Sequence, residues 1–494
     1  MRRIRRESAG TTSRYARTAP SVAPLCRNNV WGHGMALLDA ERELDAGTRL
    51  RAGTEPQPGA GTAGAWYRSR LALGIFGEMV TLLAVLAAAW FVAQRLDAWA
   101  GHGLDFSVYW HGGKILNDAG QSPSDLYSLT VGWAGGPELP FTYPPFAAVL
   151  FSLLARLPEK SALMLFNAAG AAVAVWVAVR GVRYWSAKQD WRSTFGTSGF
   201  HATRNKWGAV ILLLAVLNLG PWRETLAFGQ INILLMGIMA ADLLARNQRW
   251  NQGFPGRGFL VGMAAGIKLT PLVFGLYFLM RKDWRGLFNM AGGFAFTVLL
   301  GWLVRPPESF RFWLEILPDT SRIGGAGYVD NLSLKGALLH FGVPEAGVTV
   351  PWLLLSLLVT GTGAMVIKAA SDQGARVVAI SATALTMLLI SPVSWSHHWV
   401  WMAAVLPAFA WTLRETPHRH RATRWLMGGV LGASIIVFFF SPKSIGEALG
   451  AENLDFQTPE PWLMASSAGV FCAVAILACW LVVLRRGSLA EVPA

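Results

Sequence analysis

The sequence predicts an all-α polytopic membrane protein, and its composition is the first observation that indicates this fold class. Of the 494 residues, 53% are hydrophobic and only 15% are charged. Ordinary soluble domains carry roughly 25% charged residues. A soluble protein of this length would form about three domains with polar surfaces. This chain lacks the charge to cover such surfaces, so we expect it to be buried in a lipid bilayer.

The second observation is a series of apolar runs separated by short polar loops. Several runs are shorter than the ~20 residues that a membrane-spanning helix needs, which suits a bundle around a water-filled cavity. With two ambiguous segments, 143–157 and 259–280, they predict about 11–13 membrane helices. The clear runs are 71–93, 161–179, 208–219, 231–245, 287–304, 352–367, 377–392, 399–412, 425–440 and 462–484.

The amino-terminal residues 1–68 differ from the rest of the chain. They are rich in Gly, Ala, Ser, Thr and Pro, and six arginines lie among the first 17 residues. No apolar run follows this basic start, so a secretory signal is not expected. We predict a disordered cytoplasmic tail, although Met35 offers an alternative start. The membrane domain is expected over 69–486, and a short cytoplasmic tail over 487–494.

The loop charges predict the topology through the positive-inside rule. One set of loops holds 20 Lys/Arg against 4 Asp/Glu and is assigned to the cytoplasm: 180–206, 246–257, 281–285, 368–376, 413–424 and 485–486. The opposite set holds 8 Lys/Arg against 15 Asp/Glu: 94–142, 221–229, 305–350 and 441–461. Both termini are then cytoplasmic. Because the net charge of +14 is spread over many loops without an aromatic-interleaved basic face, nucleic acid is excluded as a partner.

This topology constrains segment 259–280, whose two flanks are both assigned to the cytoplasm. The segment must therefore turn back near Lys268–Pro271, and by the same reasoning 143–157 is a short or re-entrant helix. Gly258, Gly262 and Gly266 are spaced by four, which places small residues on one helix face for close packing.

Candidate polar groups lie on the outer side, where the loops 94–142 and 305–350 are unusually long. Asp105 lies among aromatic residues, where a carboxylate with a raised pKa can act as a general base; an ordinary loop aspartate or helix cap is the alternative. Gln230 and Asn232 either cap a helix or bind sugar hydroxyls. Lys268 lies inside an apolar run, where a lysine usually faces a cavity or a counter-ion.

Two adjacent histidines, His397 and His398, follow Ser394-Trp395-Ser396 at the outer face. Adjacent helical residues point about 100° apart, so the pair lacks the i, i+4 spacing of a zinc site. A hydrogen-bonding or proton-handling role is expected instead, with interfacial packing as the alternative. The three cysteines exclude a disulfide framework and a CxxC metal site. No metal ligands and no cofactor are predicted.

Taken together, these segments resemble the polyprenol-phosphate-mannose-dependent mannosyltransferases of glycosyltransferase family 87. The resemblance extends over residues 70–485, in an order and spacing that are more specific than any single block. His111-Gly112 departs from the family pattern, as does the long amino-terminal tail. The matching blocks are Asp105–Gly113 with Leu126-Tyr127, Pro140–Pro145, Gly229–Ile233 with Gly262–Pro271, and Asn331–Leu334 with Ser391–Trp399.

The resemblance implies a GT-C fold with its active site on the extracytoplasmic face of the plasma membrane, and an α-(1→2) mannosyltransferase reaction. The implied substrates are a polyprenyl-phosphate-mannose donor and a mannosylated glycolipid or lipoglycan acceptor, as in the synthesis of phosphatidylinositol mannosides and lipomannan. The family's catalytic aspartate maps to Asp105. Candidates for binding the donor are Lys268, His397, His398, Arg223, Gln230 and Asn232. Candidates for contacting the acceptor are Tyr109, Trp110, Tyr143, Asn331 and Ser333.

Three other interpretations remain open from the sequence. A polytopic transporter or flippase would also have many spans and buried polar groups, although no halves of matching hydropathy are visible. A related transferase would move another sugar, such as arabinose, from the same kind of carrier. A non-catalytic scaffold would leave Asp105, Lys268 and the histidine pair without a joint purpose.

Overall fold

The computed structural model describes residues 103–118, 125–132, 138–187, 198–245, 250, 254–318, 324–450 and 463–487. These residues belong to one compact unit, Ala72–Ala494. The amino-terminal tail 1–68, the first apolar run 71–93 and the tail beyond Gly487 lie outside the described residues. Their predictions therefore stay predictions.

The described part of the chain is almost entirely helical, with one small ribbon in which β1 (Thr130–Val131) pairs antiparallel with β2 (Leu139–Pro140). Short 3-10 helices cover Thr270–Phe274, Glu345–Gly347 and Ser396–Trp401, and a π-helical turn covers Phe312–Ile316. The α-helices are α1 (Leu104–Asn117), α2 (Pro145–Leu154), α3 (Glu159–Ala187), α4 (Ser198–Asn218), α5 (Gly220–Phe228), α6 (Asn232–Leu243), α7 (Phe259–Ile267), α8 (Gly275–Met280), α9 (Trp284–Val304), α10 (Pro306–Arg311), α11 (Leu334–His340), α12 (Thr349–Asp372), α13 (Arg376–Ile390), α14 (Met402–Glu415), α15 (Arg421–Phe440), α16 (Pro442–Ala448), α17 (Leu463–Ser466) and α18 (Ala468–Arg485).

Five described helices are long and apolar enough to cross a membrane: α3, α9, α12, α15 and α18. The apolar pair α4 and α5 is bent by 67° and raises the number to six if it is counted as one broken span. Large apolar side chains cover the outside of these helices; Phe288 on α9 is 72% exposed and Leu357 on α12 is 70% exposed. Such a surface belongs in lipid. The prediction of an all-α polytopic membrane protein is confirmed. The predicted total of about 11–13 membrane helices is larger than these five or six because it also counts shorter apolar helices and the first apolar run, which lies outside the described residues.

Local sequence explains where several helices begin. Proline occupies the first turn of α2 (Pro145) and of α5 (Pro221), where its missing N–H costs no helical hydrogen bond. The side chain of Asp283 accepts a hydrogen bond from the backbone N–H of Gly286 and so caps α9. Ser333 caps α11 in the same way, accepting from Gly336. These caps satisfy backbone donors that the helices leave unpaired.

The glycine face predicted on segment 259–280 packs α7 directly against α9. A Cβ at Gly258 would overlap the carbonyl of Gly286, and a Cβ at Gly262 would overlap that of Met290. A Cβ at Gly266 would meet the Thr297 side chain. The residue numbers of the contacting pairs increase along both helices in the same direction, so α7 and α9 run parallel. The prediction that the glycines serve close packing is confirmed.

Parallel α7 and α9 require the chain between them to return to the end at which α7 began. Residue Lys268 ends α7 in an extended conformation (φ −147°, ψ 123°), and the 3-10 helix Thr270–Phe274 and α8 lead back. Asn289, near the start of α9, donates a hydrogen bond to the carbonyl of Arg257, just before α7. Segment 259–280 is thus a re-entrant hairpin that turns at Lys268, as the charge distribution predicted.

The start of this hairpin is fixed by a buried carboxylate that the sequence analysis did not single out. Asp242, near the end of α6, accepts hydrogen bonds from the backbone N–H groups of Gly258, Leu260 and Val261 at 3.0–3.2 Å through one oxygen. A carboxylate at a helix amino terminus satisfies unpaired N–H groups and favours the helix dipole. The amino-terminal end of α7 is therefore held against α6.

Segment 143–157 forms the short helix α2, which packs against α1. Gly113 on α1 approaches the backbone of Phe151 and Ser152 so closely that a Cβ would overlap it. The ring of Tyr109 stacks on that of Phe151, with centroids 4.5 Å apart. This contact fixes α1 beside the bundle and so places its polar first turn.

Replacing Gly262 with alanine should destabilise the protein, although alanine stabilises an ordinary helix interior by about 1 kcal/mol relative to glycine. The new methyl group would push α7 from α9, and overpacking of this kind costs about 1–3 kcal/mol. Gly361 on α12 is the matched control, since a Cβ there has nothing within 4 Å. Thermal unfolding in detergent should show a lower midpoint for Gly262→Ala only. Equal or higher midpoints in both variants would contradict the packing assignment.

Candidate active site

Asp105 lies in the first turn of α1, which is not one of the helices able to cross a membrane. Its side chain is half-buried. Burial raises the pKa of the Asp105 carboxyl to about 6, while the positive charge of Lys268 and a hydrogen bond from Gln230 act in the opposite direction. A carboxyl with this pKa is mostly ionised at neutral pH and is still basic enough to accept a proton.

The turn between α5 and α6 presents Gln230 and Asn232 to Asp105. Gly229 makes this turn possible, because it adopts φ +65° and its Cα lies against Phe106, which leaves no room for a Cβ. The hydroxyl of Tyr109 donates to Oε1 of Gln230 at 2.7 Å. The amide nitrogen of Gln230 is thereby left to donate to the carboxylate of Asp105.

Tyr143 completes this side of the site. Its hydroxyl oxygen lies 3.1 Å from that of Tyr109, and the two rings pack edge to face with centroids 4.9 Å apart. The two tyrosines, both predicted to contact an acceptor, therefore lie beside Asp105 in one hydrogen-bonded group with Gln230.

Lys268 lies at the turn of the re-entrant hairpin and points into the same network. Its Nζ donates to Oδ1 of Asn232 at 3.0 Å and lies 2.8 Å from Nε2 of His398. Asn232 in turn contacts Gln230, through Nδ2 and Oε1 at 3.3 Å. An unbroken series of polar contacts thus joins the Asp105 carboxylate to the Lys268 ammonium.

His397 and His398 belong to the 3-10 helix Ser396–Trp401. Their rings are 4.8 Å apart at the centroids and nearly perpendicular, at 85°. The backbone carbonyl of His397 accepts from Asn232 at 3.1 Å and from Thr225 at 2.9 Å. This short helix is therefore tied to both α5 and α6, while the ring of His398 faces Lys268.

Two predicted acceptor-contact residues build the loop instead of lining the network. Oδ1 of Asn331 accepts from the backbone N–H of Ser394 at 2.9 Å, and its Nδ2 donates to the carbonyls of Ala326 and Pro392. Ser333 donates to the Pro392 carbonyl at 3.2 Å while it caps α11. The hydrogen bonds of both side chains stabilise the isolated antiparallel bridge between residues Asn331 and Trp395.

The structure does not bring Arg223 or Trp110 to the network. The guanidinium of Arg223 donates to the carbonyl of Phe439 at 2.7 Å and lies over the Phe439 ring. The indole N–H of Trp110 donates to the carbonyl of Leu157 at 3.0 Å. Each of these side chains points toward a neighbouring helix end.

Sequence analysis missed Glu224 and Asp330, which the structure places beside His397. Within the described ranges, these three residues form a group whose possible ligand atoms all lie within 4.8 Å of one another. Each acid directly neighbours a residue that the sequence did single out, Arg223 and Asn331. The available signal was that both acids lie in loops, 221–229 and 305–350, that the charge distribution assigned to the same side as Asp105.

A small cavity of about 20 Å³ lies next to the Lys268 partners. Its polar side is formed by Asn232, Ser391, Ser394 and His398. The other walls are largely apolar, with residues such as Leu235, Met239, Pro271, Met387 and Leu388. Polar and apolar walls therefore meet directly beside the Lys268 network.

Comparison with known proteins gives a family for this site. The family model described as glycosyltransferase family 87 matches residues 141–392. That range includes Gln230, Asn232, Lys268 and Asn331. The chain belongs to glycosyltransferase family 87. The interpretation as a membrane glycosyltransferase is thereby confirmed and is favoured over a transporter or a scaffold.

Curated relatives agree with this assignment. A polyprenol-phosphate-mannose-dependent alpha-(1-2)-phosphatidylinositol mannoside mannosyltransferase of Mycolicibacterium smegmatis is 34% identical over 351 residues, which cover 69% of this chain and 76% of the relative. A second protein of that organism, named for phosphatidylinositol pentamannoside, is 31% identical over 83% of this chain and 91% of its own length. The family model and these relatives together span most of the membrane domain.

A solved structure, ArnT from Cupriavidus metallidurans bound to undecaprenyl phosphate, overlaps 80% of this chain and 76% of its own. The TM-score is 0.34 and the sequence identity is 16%. This overlap is too loose to align individual site residues.

Proposed function

We propose that the protein transfers mannose from polyprenyl-phosphate-mannose to a mannosylated glycolipid or lipoglycan, forming an α-(1→2) linkage with Asp105 as the general base. The names of the curated relatives support both substrates. The observation that carries the proposal is the polar series from Asp105 through Gln230 and Asn232 to Lys268. It places one carboxylate and one ammonium on a shared hydrogen-bonded frame.

The proposed reaction is a single in-line displacement. A β-linked donor and an α-linked product require inversion at the anomeric carbon. The acceptor hydroxyl is a poor nucleophile, so Asp105 takes its proton as its oxygen bonds to that carbon. At the same time the bond from the anomeric carbon to the phosphate oxygen breaks, and its electron pair leaves with the phosphate. One essential carboxylate is sufficient, whereas a glycosidase needs two.

Lys268 stabilises the charge that develops on the departing phosphate. An ammonium that is already oriented, here by Asn232 and His398, acts on a transition state without reorganising. Polyprenyl phosphate is a stable anion and needs no general acid. We therefore expect the reaction to proceed without a metal ion or other cofactor.

We assign the donor phosphate to the polar side of the small cavity beside Lys268, at His398. The apolar residues Leu235, Met239 and Leu388 lie next to this position. The loop charges support an extracytoplasmic site in the plasma membrane, with both termini in the cytoplasm.

Asp105→Asn should abolish transfer while the protein stays folded and binds donor. General-base catalysis contributes about 10²–10⁴-fold, and the amide retains the shape of the carboxylate. The assay uses membranes with radiolabelled polyprenyl-phosphate-mannose and a mannosylated lipid, followed by α-1,2-mannosidase digestion of the product. Near-wild-type turnover of Asp105→Asn would refute the assignment of the base. Transfer by wild type of another polyprenyl-phosphate sugar only, such as arabinose, would overturn the assignment of mannose.

The pH profile should follow the raised pKa of Asp105. Only the ionised carboxylate can accept a proton, and its pKa is about 6. The value of kcat/KM should therefore fall about tenfold for each pH unit below that pKa and level off toward neutral pH. The measurement is initial rate against pH in detergent, with folding checked at each pH by thermal unfolding. Full activity down to pH 4 would contradict the assigned role.

Lys268→Met should impair use of the donor. Removing one charged group that stabilises a transition state costs about 10²-fold in kcat, and the loss of phosphate contact should also raise the KM for the donor. Lys368→Met is the control, since Lys368 is an exposed lysine on α12 that pairs with Asp372. Unchanged donor KM and kcat in Lys268→Met would assign Lys268 a structural role.

A further inference from the structure

A second polar cluster includes His397. It consists of Glu224 on α5, Asp330 in the loop before α11, and His397, and we call it the acidic cluster. The possible ligand atoms of these three residues lie within 4.8 Å of one another. Asp330 is 5% exposed and His397 is 6% exposed. None of these three groups is used by the reaction step described above.

Hydrogen bonds within the protein satisfy only part of the acidic cluster. Both oxygens of Glu224 accept from hydroxyl groups, one from Ser396 and the other from Ser441 at 2.5 Å. Asp330 accepts from Ser396, but its Oδ1 is buried without a hydrogen-bond partner. Both ring nitrogens of His397 are also buried and unpartnered. Buried polar atoms of native proteins usually have partners, so these three atoms are available to bind the polar groups of a ligand or of water.

The unmatched atoms specify the chemistry of that ligand. A neutral imidazole presents one N–H donor and one acceptor nitrogen, and Oδ1 of Asp330 is an acceptor. A ligand hydroxyl both donates and accepts a hydrogen bond. Two neighbouring hydroxyls can therefore satisfy all three atoms at once, whereas a purely anionic group would face the carboxylates.

The surrounding charges favour a neutral ligand over a divalent cation. The positive charge of Lys443 acts on both Glu224 and Asp330 and would repel a metal ion. Burial and the negative charge of Glu224 raise the pKa of the Asp330 carboxyl. The pair of acids is therefore more stable with one proton and one negative charge than with two negative charges. Glu224 also already accepts two hydrogen bonds.

Aromatic rings border the acidic cluster. Phe228 packs edge to face against His397, with centroids 5.6 Å apart. Tyr328 and Trp395 pack together at 5.7 Å, and both are half-buried. Apolar ring faces beside a few convergent polar groups are typical of sites for small organic molecules, and a sugar ring has both an apolar face and hydroxyl edges.

We propose that the acidic cluster binds the ring hydroxyls of the acceptor sugar. This inference rests on the proposed function, since Lys268 and His398 are assigned there to the donor phosphate. The ring of His397 lies with Glu224 and Asp330, whereas the ring of His398 lies against Lys268. The acceptor must approach the anomeric carbon from the side opposite the phosphate. Glu224, Asp330 and His397 thus orient the acceptor, while Asp105 removes its proton.

The test uses the full chain in detergent with octyl α-D-mannopyranoside and its 3-, 4- and 6-deoxy analogues. Direct binding of each acceptor is measured by equilibrium dialysis, and the KM values for donor and acceptor are measured separately. The variants are Asp330→Asn and His397→Phe, in which phenylalanine keeps the ring packing. Glu308→Gln serves as the control because Glu308 is a buried carboxylate paired with Arg305.

We expect both variants to weaken acceptor binding about tenfold or more, the size of one lost hydrogen bond to a charged or buried group. Donor KM should change less than about twofold. At least one deoxy analogue should bind wild type about tenfold more weakly, and that penalty should vanish in His397→Phe.

Several outcomes would overturn the inference. Unchanged acceptor binding in both variants would refute it, even if wild type transfers mannose. A raised donor KM with unchanged acceptor binding would assign the cluster to the donor sugar. Loss of wild-type activity on chelation, restored by a divalent cation, would make it a metal site. Absence of mannose transfer by wild type would instead refute the proposed function. The acceptor-binding measurement does not require transfer, so the two failures can be told apart.

Discussion

The placement of one buried ammonium governs the geometry of the site. Lys268 lies inside the bundle, where an unpaired charge is costly, and it finds Asn232, His398 and the charge of Asp105 around it. These partners come from α6, from the 3-10 helix before α14 and from α1. Stabilising Lys268 therefore requires three distant parts of the chain to meet at the turn of the re-entrant hairpin.

The hairpin itself depends on fixed contacts at both ends. Asp242 holds the beginning of α7 through backbone N–H groups, and the glycine face brings α7 into contact with the parallel helix α9. With its start and its packing face set, α7 can end only near one depth in the bundle. The break at Lys268 then delivers the side chain to the polar network rather than to lipid.

Sequence patterns predicted the hairpin and singled out Asp105 and Lys268 as candidate site residues because each leaves a local signal. Three of these signals are visible in the sequence alone: a lysine in an apolar run, a carboxylate among aromatic residues, and a difference in charge between two sets of loops. The orientation of α5 is not visible in the sequence, because it depends on the 67° bend from α4 to α5. Adjacent helical residues point about 100° apart, so that bend directs Glu224 toward His397 and Arg223 toward Phe439. Asn331 was expected to contact an acceptor, but its side chain instead holds the loop that carries Asp330. Two of these contacts join residues 61 and 63 positions apart in the chain and leave no local signal.

In the proposed reaction the two histidines serve different substrates, His398 the donor and His397 the acceptor. In a 3-10 helix successive side chains are about 120° apart, and here the two rings are nearly perpendicular. His398 faces the Lys268 ammonium and the apolar cavity, whereas His397 faces two acids and carries no protein partner on its ring. Inversion requires the nucleophile and the leaving group on opposite sides of one carbon. Neighbouring residues that point apart on a short helix tied to α5 and α6 would meet this requirement in the proposed reaction, because each substrate would bind a different face of one rigid element.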